Sequence, residues 1–155
     1  MRAGVVVDTS ALLAVLFAEP ERQPALDAIS DAGARWMSAF SYLEASIVAR
    51  SRRGLAGRTI LDGLLREFGV EIVALDQEQA EIARDAWERF GKGRHQAALN
   101  IGDCCAYALS RSLGAPLLFK GHDFVHCDVD GIRLDAPPLP PAAAADPGPE
   151  PDAST

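Results

Sequence analysis

Basic residues are in deficit in this chain: 15 Lys and Arg stand against 22 Asp and Glu in 155 residues, a formal net charge of −7. That balance argues against a protein that coats nucleic acid through a broad basic surface, because such binding draws on many Lys and Arg contacts with phosphate. It does not exclude a nuclease, since bound metal would cancel part of the excess. Asp146, Glu150 and Asp152 place three of the charges in the C-terminal tail, leaving −4 for residues 1–145. Cysteine is scarce, and Cys104, Cys105 and Cys127 show none of the paired spacings of zinc sites or disulfide frameworks. All three read as reduced, small core residues. His122, His126 and Cys127 offer three ligands in six residues with no second cluster, too few for zinc. Aromatics make up only 6% of the chain, and Trp36, Trp87 and Phe68 fall in strand or helix patterns, so they read as core rather than as base-stacking platforms. No apolar run approaches the ~18 residues needed to span a bilayer, and no leader-like segment opens the chain. A soluble, cytoplasmic protein without a membrane partner is expected.

What is present is an alternation of short β-type runs with helical patterns, the mark of a parallel sheet covered by helices, an α/β fold. Strands are predicted over residues 4–8, 35–37, 70–75, 116–119 and 131–134. Helices are predicted over residues 11–18, from Pro20 to about residue 31, from Ser38 or Ser41 to Gly54, and over residues 57–68, 77–90 and 101–113. The segment 91–95 reads as a mobile loop. Seven of the ten prolines lie beyond residue 135, so residues 1–135 are expected to form one domain and residues 136–155 a disordered Pro/Ala-rich tail.

Ligands of an open parallel sheet gather outside the carboxyl ends of its strands. Asp8 ends the run Val5-Val6-Val7, and Asp123 follows Leu117-Leu118-Phe119, which puts both at that edge. Asp103 lies in the first turn of a helix and Glu44 within the apolar pattern of another. Each has a structural reading too. Asp8 suits a helix cap, Asp103 a capping pair with Asn100, and Asp123 a turn. Glu44 resists such a reading, because its helical neighbours Phe40, Ile47 and Val48 are apolar. Burying a lone carboxylate costs several kcal/mol, so an arginine or a metal is expected near it. Four carboxylates brought to one edge repel each other, and one or two Mg²⁺ or Mn²⁺ ions, hard cations that take oxygen ligands, would relieve that repulsion.

The segments VVVDTSALLAVLFAEPE, SAFSYLEASIVARS, LNIGDCCAYALSRSLGAPLLFKGHDF and CDVD occur in that order in a stretch from about Val5 to Ile132. In them the chain resembles PIN-domain ribonucleases of the VapC toxin type. The resemblance implies a PIN-like α/β/α sandwich and a metal-dependent endoribonuclease that hydrolyses RNA phosphodiester bonds. Asp8, Glu44, Asp103 and Asp123 match the family's metal-binding acids, Ser10 a hydroxyl that supports the site, and Asp128 an additional outer acid. It also implies a VapB-like antitoxin and a homodimer. His122 departs from the asparagine often found there. The proline-rich tail lies outside the resemblance.

RNA contacts would need positive charge near the acids. Arg50, Arg52, Arg53 and Arg58 flank the end of the Glu44 helix, and Lys92, Arg94 and Lys120 are further candidates; solvated helix-end cations are the plainer reading of most. Rival functions fit less well. A phosphatase with an Asp8 nucleophile would want a second aspartate where Ser10 stands, and a phosphoacceptor receiver would want paired acids early in the chain. A PIN fold kept as an RNA-binding or regulatory module without catalysis is the remaining alternative.

Overall fold

The run Val5-Val6-Val7 organises the molecule, because a strand sends successive side chains to opposite faces. In the computed structural model, which describes residues 2–136, Val5 and Val7 enter one hydrophobic cluster and Val6 another. The strand Leu117–Phe119 repeats the division, Leu118 joining the first cluster, Leu117 and Phe119 the second. Two cores on opposite faces of one sheet follow.

Five strands, β1 (Val5–Val7), β2 (Arg35–Ser38), β3 (Glu71–Val73), β4 (Leu117–Phe119) and β5 (Gly131–Arg133), form a parallel sheet in the order β3-β2-β1-β4-β5. The helices are α1 (Thr9–Leu16), α2 (Arg22–Asp31), α3 (Ala39–Glu67), α4 (Gln77–Phe90) and α5 (Ile101–Leu113). Residues of α1, α2 and α3 close the first core, and those of α4 and α5 the second. Central β1 and β4 are wholly buried, whereas edge strands β3 and β5 carry exposed residues. Such an all-apolar reading is what a parallel strand covered on both faces requires. The chain leaves β1 toward β2 on one side while β4 pairs on the other, so the crevice at the carboxyl end of β1 lies where the strand order reverses.

The predicted elements are all present, with shifts of a few residues at their ends. The two helices expected on either side of Gly54 run on as α3, broken at Gly54, whose φ of 64° and ψ of −154° are open only to glycine. The expected tail beyond residue 136 lies outside the described residues. Among the described residues, no helix is long and apolar enough to cross a membrane.

Three expectations are corrected. Trp87 is not core: it is 41% exposed on α4, with the Arg94 guanidinium 4.3 Å above its ring. The segment 91–95, expected as a loop, is a hydrogen-bonded turn. Lys92 N–H donates to Leu99 O at 3.0 Å, Leu99 N–H to Phe90 O at 2.9 Å, and His95 packs edge-on against Phe90. The third concerns Glu44. The face of α3 that packs inward is Ser41, Ala45 and Ala49, small residues that let the helix approach closely. Leu43 and Ile47 are 55% and 58% exposed, and with Phe40, Val48 and Glu44 they line a groove on the outer side. Apolar neighbours did not mean burial, because small residues won the sheet-facing side and left the large ones outward. Glu44 is half-buried at the margin of that groove.

Candidate active site

Asp8 follows the last residue of β1 and serves as the N-cap of α1. Its backbone N–H continues the β1–β4 pairing by donating to Leu118 O at 3.0 Å, which fixes the side chain at the sheet edge. Ser10 then donates to Asp8 Oδ2 twice, from its backbone N–H at 3.1 Å and from its hydroxyl at 2.5 Å. Thr9, buried beside it, bonds the carbonyl of Ser41 at 3.1 Å and ties the start of α1 to α3.

Asp103 stands in the first turn of α5, fixed by a reciprocal cap: Asp103 N–H donates to Asn100 Oδ1 at 2.9 Å, and Asn100 N–H to Asp103 Oδ2 at 3.0 Å. The capping reading and the site reading therefore coexist, since a cap uses one carboxylate oxygen. Asp123 is exposed on the turn after β4, which Gly121 starts with a φ of 100°. Glu44 reaches the same place from α3. Its Oε2 lies so close to the N-terminus of α5 that a Cβ on Gly102 would stand 2.8 Å from it. The glycine is a cradle for the Glu44 carboxylate.

The charges of the acids are felt at Asp8 and Asp103. Asp8 and Asp103 are only 7% and 8% exposed. Burial pushes the Asp8 carboxyl from 3.8 up to about 6; the Ser10 bonds pull against that, and the charges of Glu44 and Asp123 add to it. Burial pushes Asp103 up to about 7, opposed by the Asn100 amide and reinforced by Asp8, Asp123 and Glu44. Like charges and desolvation act in the same direction here. Among the described residues, no three His, Cys, Asp or Glu side chains are grouped so as to hold a metal ion. Magnesium asks for no closed cage of side chains, because it keeps several waters and is held through one or two carboxylates. All-oxygen, anionic and mutually repelling, the donor set fits a hard divalent cation.

The remaining expected residues fall out differently. Ser10 is at the centre, bonded to Asp8. Asp128 has partners of its own: Tyr107 Oη donates to its Oδ1 at 2.6 Å and Arg89 Nη2 lies 2.9 Å from its Oδ2, a tie between α4, α5 and the chain before β5. The Tyr107 hydroxyl, with Arg89 behind it, holds Asp128 below the usual carboxylate range, which suits an anion paired for structure. Lys120 is not a free cation, being held by Glu19 and by Glu21, whose Oε2 is 3.0 Å from its Nζ. That second contact is an ion pair without hydrogen-bond alignment, since Glu21 Oε2 has no aligned donor. Arg52 and Arg53 lie over the Phe17 ring at 4.8 and 5.5 Å. Arg50 and Arg58 line a pocket with Tyr42, Ser46 and Ser51 that adjoins the Glu44 groove through Leu43 and Ile47. Burial pushes all three thiols up, that of Cys104 to about 12.

Sequence reasoning missed the roles of Gly102, Tyr107, Glu19 and Glu21. Gly102 left a signal, a glycine in the first turn of a helix it weakens; the others left none, because their partners are distant in the chain.

The PIN domain model matches residues 5–130. A "Ribonuclease VapC" of Mycolicibacterium smegmatis is 48% identical over 129 residues, 83% of this chain and 100% of the relative. "Ribonuclease VapC30" of Mycobacterium tuberculosis is 45% identical over 130 residues, 84% of this chain and 99% of that protein. Among solved structures, VapC20 of Mycobacterium tuberculosis, described as a Sarcin-Ricin loop cleaving toxin, superimposes with a TM-score of 0.68 at 16% identity, covering 81% of this chain and 96% of that one. DNA-bound VapBC of Salmonella typhimurium gives a TM-score of 0.67 at 13% identity over 85% and 98%. With the family model spanning most of its length and relatives close to half identical, this chain belongs to the PIN-domain family, of the VapC type.

Proposed function

We propose that this chain is the toxin of a toxin–antitoxin pair, an endoribonuclease that hydrolyses RNA phosphodiester bonds with Mg²⁺, or Mn²⁺ in its place. The observation that carries the reading is a pair of buried carboxylates, Asp8 after β1 at the crevice where the strand order reverses and Asp103 in the first turn of α5, where the Glu44 carboxylate lies against Gly102. Relatives named ribonucleases, close to half identical to this chain, support it.

Asp8, Asp103 and Asp123 would hold the ion directly or through water, with Glu44 a further ligand or the acceptor that orients the attacking water. A bound divalent ion would supply positive charge against the charge that builds up on the phosphate and would make water more acidic. The protein's own part is positional. Ser10 aims the Asp8 carboxylate, the Asn100 cap aims that of Asp103, and the Gly102 cradle admits that of Glu44. Histidine has no role in this scheme.

An antitoxin protein is the expected partner, as in the VapBC complexes among the solved structures. The outward apolar row of α3, Leu43 and Ile47, beside the acids is a surface a protein partner would cover. A homodimer and a cytoplasmic site of action belong to the same proposal. The test is RNA-end sequencing in cells that express the chain beside an Asp8→Asn control, with purified protein assayed in Mg²⁺ and in chelator. Cleavage that persists in chelator, or in the Asp8→Asn protein, would refute the reading.

A further inference from the structure

Lys120 stands immediately after β4, at the same sheet edge as the acids. Its backbone N–H donates to Ser10 Oγ at 3.0 Å, and that hydroxyl in turn donates to Asp8 Oδ2 at 2.5 Å. Two hydrogen bonds thus separate the lysine backbone from the central carboxylate. A lysine carries its ammonium on a flexible four-carbon stem. Left to itself, that charge would settle among the four carboxylates, where repulsion between anions is greatest. It does not. The ammonium is turned onto the α1–α2 connection, between Glu19 and Glu21. Ala18 bends that connection, in the left-handed region with a φ of 51°, and the three side chains are well shielded, Glu21 the most.

We propose that Glu19 and Glu21 sequester Lys120, keeping the protein's own cation out of the acid cluster so that the cluster's charge is left for a divalent ion. They are positioning residues that act through the lysine, and this inference rests on the metal-site reading above. Two acids, rather than one, face the ammonium.

The experiment is a Mg²⁺ titration of the purified full-length protein, read as the rise in Tm, for the wild type, Asp8→Asn, Lys120→Met, Glu19→Gln/Glu21→Gln, and the triple variant that combines the last two. The expected result is a half-saturating concentration raised roughly tenfold in Glu19→Gln/Glu21→Gln, near the wild-type value in Lys120→Met, and restored in the triple variant. Recovery on removing the lysine is what a merely structural clasp would not produce. The inference is overturned if Glu19→Gln/Glu21→Gln binds like the wild type, or if the triple variant stays as weak as the double. If the double variant fails to fold, Glu19→Gln alone, which keeps the Glu21 ion pair, is expected to show a smaller shift in the same direction, again reversed by Lys120→Met. A wild type whose Tm does not respond to Mg²⁺ at all, matching Asp8→Asn, instead removes the metal-site reading beneath it.

Discussion

Ser10 gives two donors to one oxygen of Asp8, its backbone N–H at 3.1 Å and its hydroxyl at 2.5 Å, while its hydroxyl oxygen accepts the Lys120 N–H at 3.0 Å. One small side chain therefore joins the ends of β1 and β4 and opposes the upward pull of burial on the Asp8 carboxyl. Ser10→Ala should raise the Asp8 carboxyl further, moving the acid limb of the cleavage pH profile up by as much as about one pH unit. It should also cost about 1 kcal/mol of stability through the lost hydrogen bonds. Cleavage rates measured against pH, with thermal unfolding beside them, check both.

In chelator, stability should fall as pH rises. Asp8 and Asp103 ionise near 3.8 when unfolded and at about 6 and about 7 when folded, so between pH 4 and 7 the folded chain binds more protons. Their contribution is complete below pH 3.8 and is lost as pH climbs through the folded values. A loss of roughly 2–4 kcal/mol between pH 5 and 8 is expected from these two groups. Urea unfolding at several pH values measures it. Asp103→Asn should flatten the slope, because an amide does not titrate.

Asp8→Asn and Asp103→Asn should each abolish cleavage and leave the fold intact. Asparagine at 103 keeps an oxygen for the Asn100 N–H, so the cap survives while a repelling charge goes. At pH 8 in chelator both variants should unfold at or above the wild-type temperature. Cleavage assays and circular dichroism on the same preparations test the pair of expectations together.

Gly102→Ala should separate stability from activity. Alanine favours a helix over glycine by up to about 1 kcal/mol, and the atom its Cβ would meet, Glu44 Oε2 at 2.8 Å, is the end of a flexible side chain that can move away. Tm should hold or rise. Cleavage should drop, because the Glu44 carboxylate loses its seat; unchanged cleavage would remove Glu44 from the chemistry.

Asp128→Asn and Tyr107→Phe test whether Asp128 belongs to the site. Its carboxylate is paired with Tyr107 and Arg89, so each variant should lose about 1 kcal/mol of stability and keep cleavage near the wild-type level. Loss of cleavage in Asp128→Asn with retained stability would place it in the site as an outer acid.

The order of strands and helices was legible because it rests on local rules. Val5-Val6-Val7 and Leu117-Leu118-Phe119 are too apolar for anything but central strands, and Ser38 and Asn100 each cap the helix that follows them. The placement of Asp8 and Asp123 at the carboxyl edge followed from the topology such elements allow. Glu44 was assigned to the site on a premise the structure overturns. Which side of its helix faces inward depended on how closely α3 approaches the sheet, and Ala45 and Ala49 decided that.

By itself, then, the sequence determined the alternation of elements, the capping residues and the supply of acids, since each depends on neighbours a few positions apart. Only the tertiary structure decided which charges would meet. Asp128 pairs with Arg89 across 39 positions and Lys120 with Glu19 across 101, and no local pattern encodes a partner so distant. The free energy of a charge is set by the groups within a few ångströms of it, and folding chooses those groups.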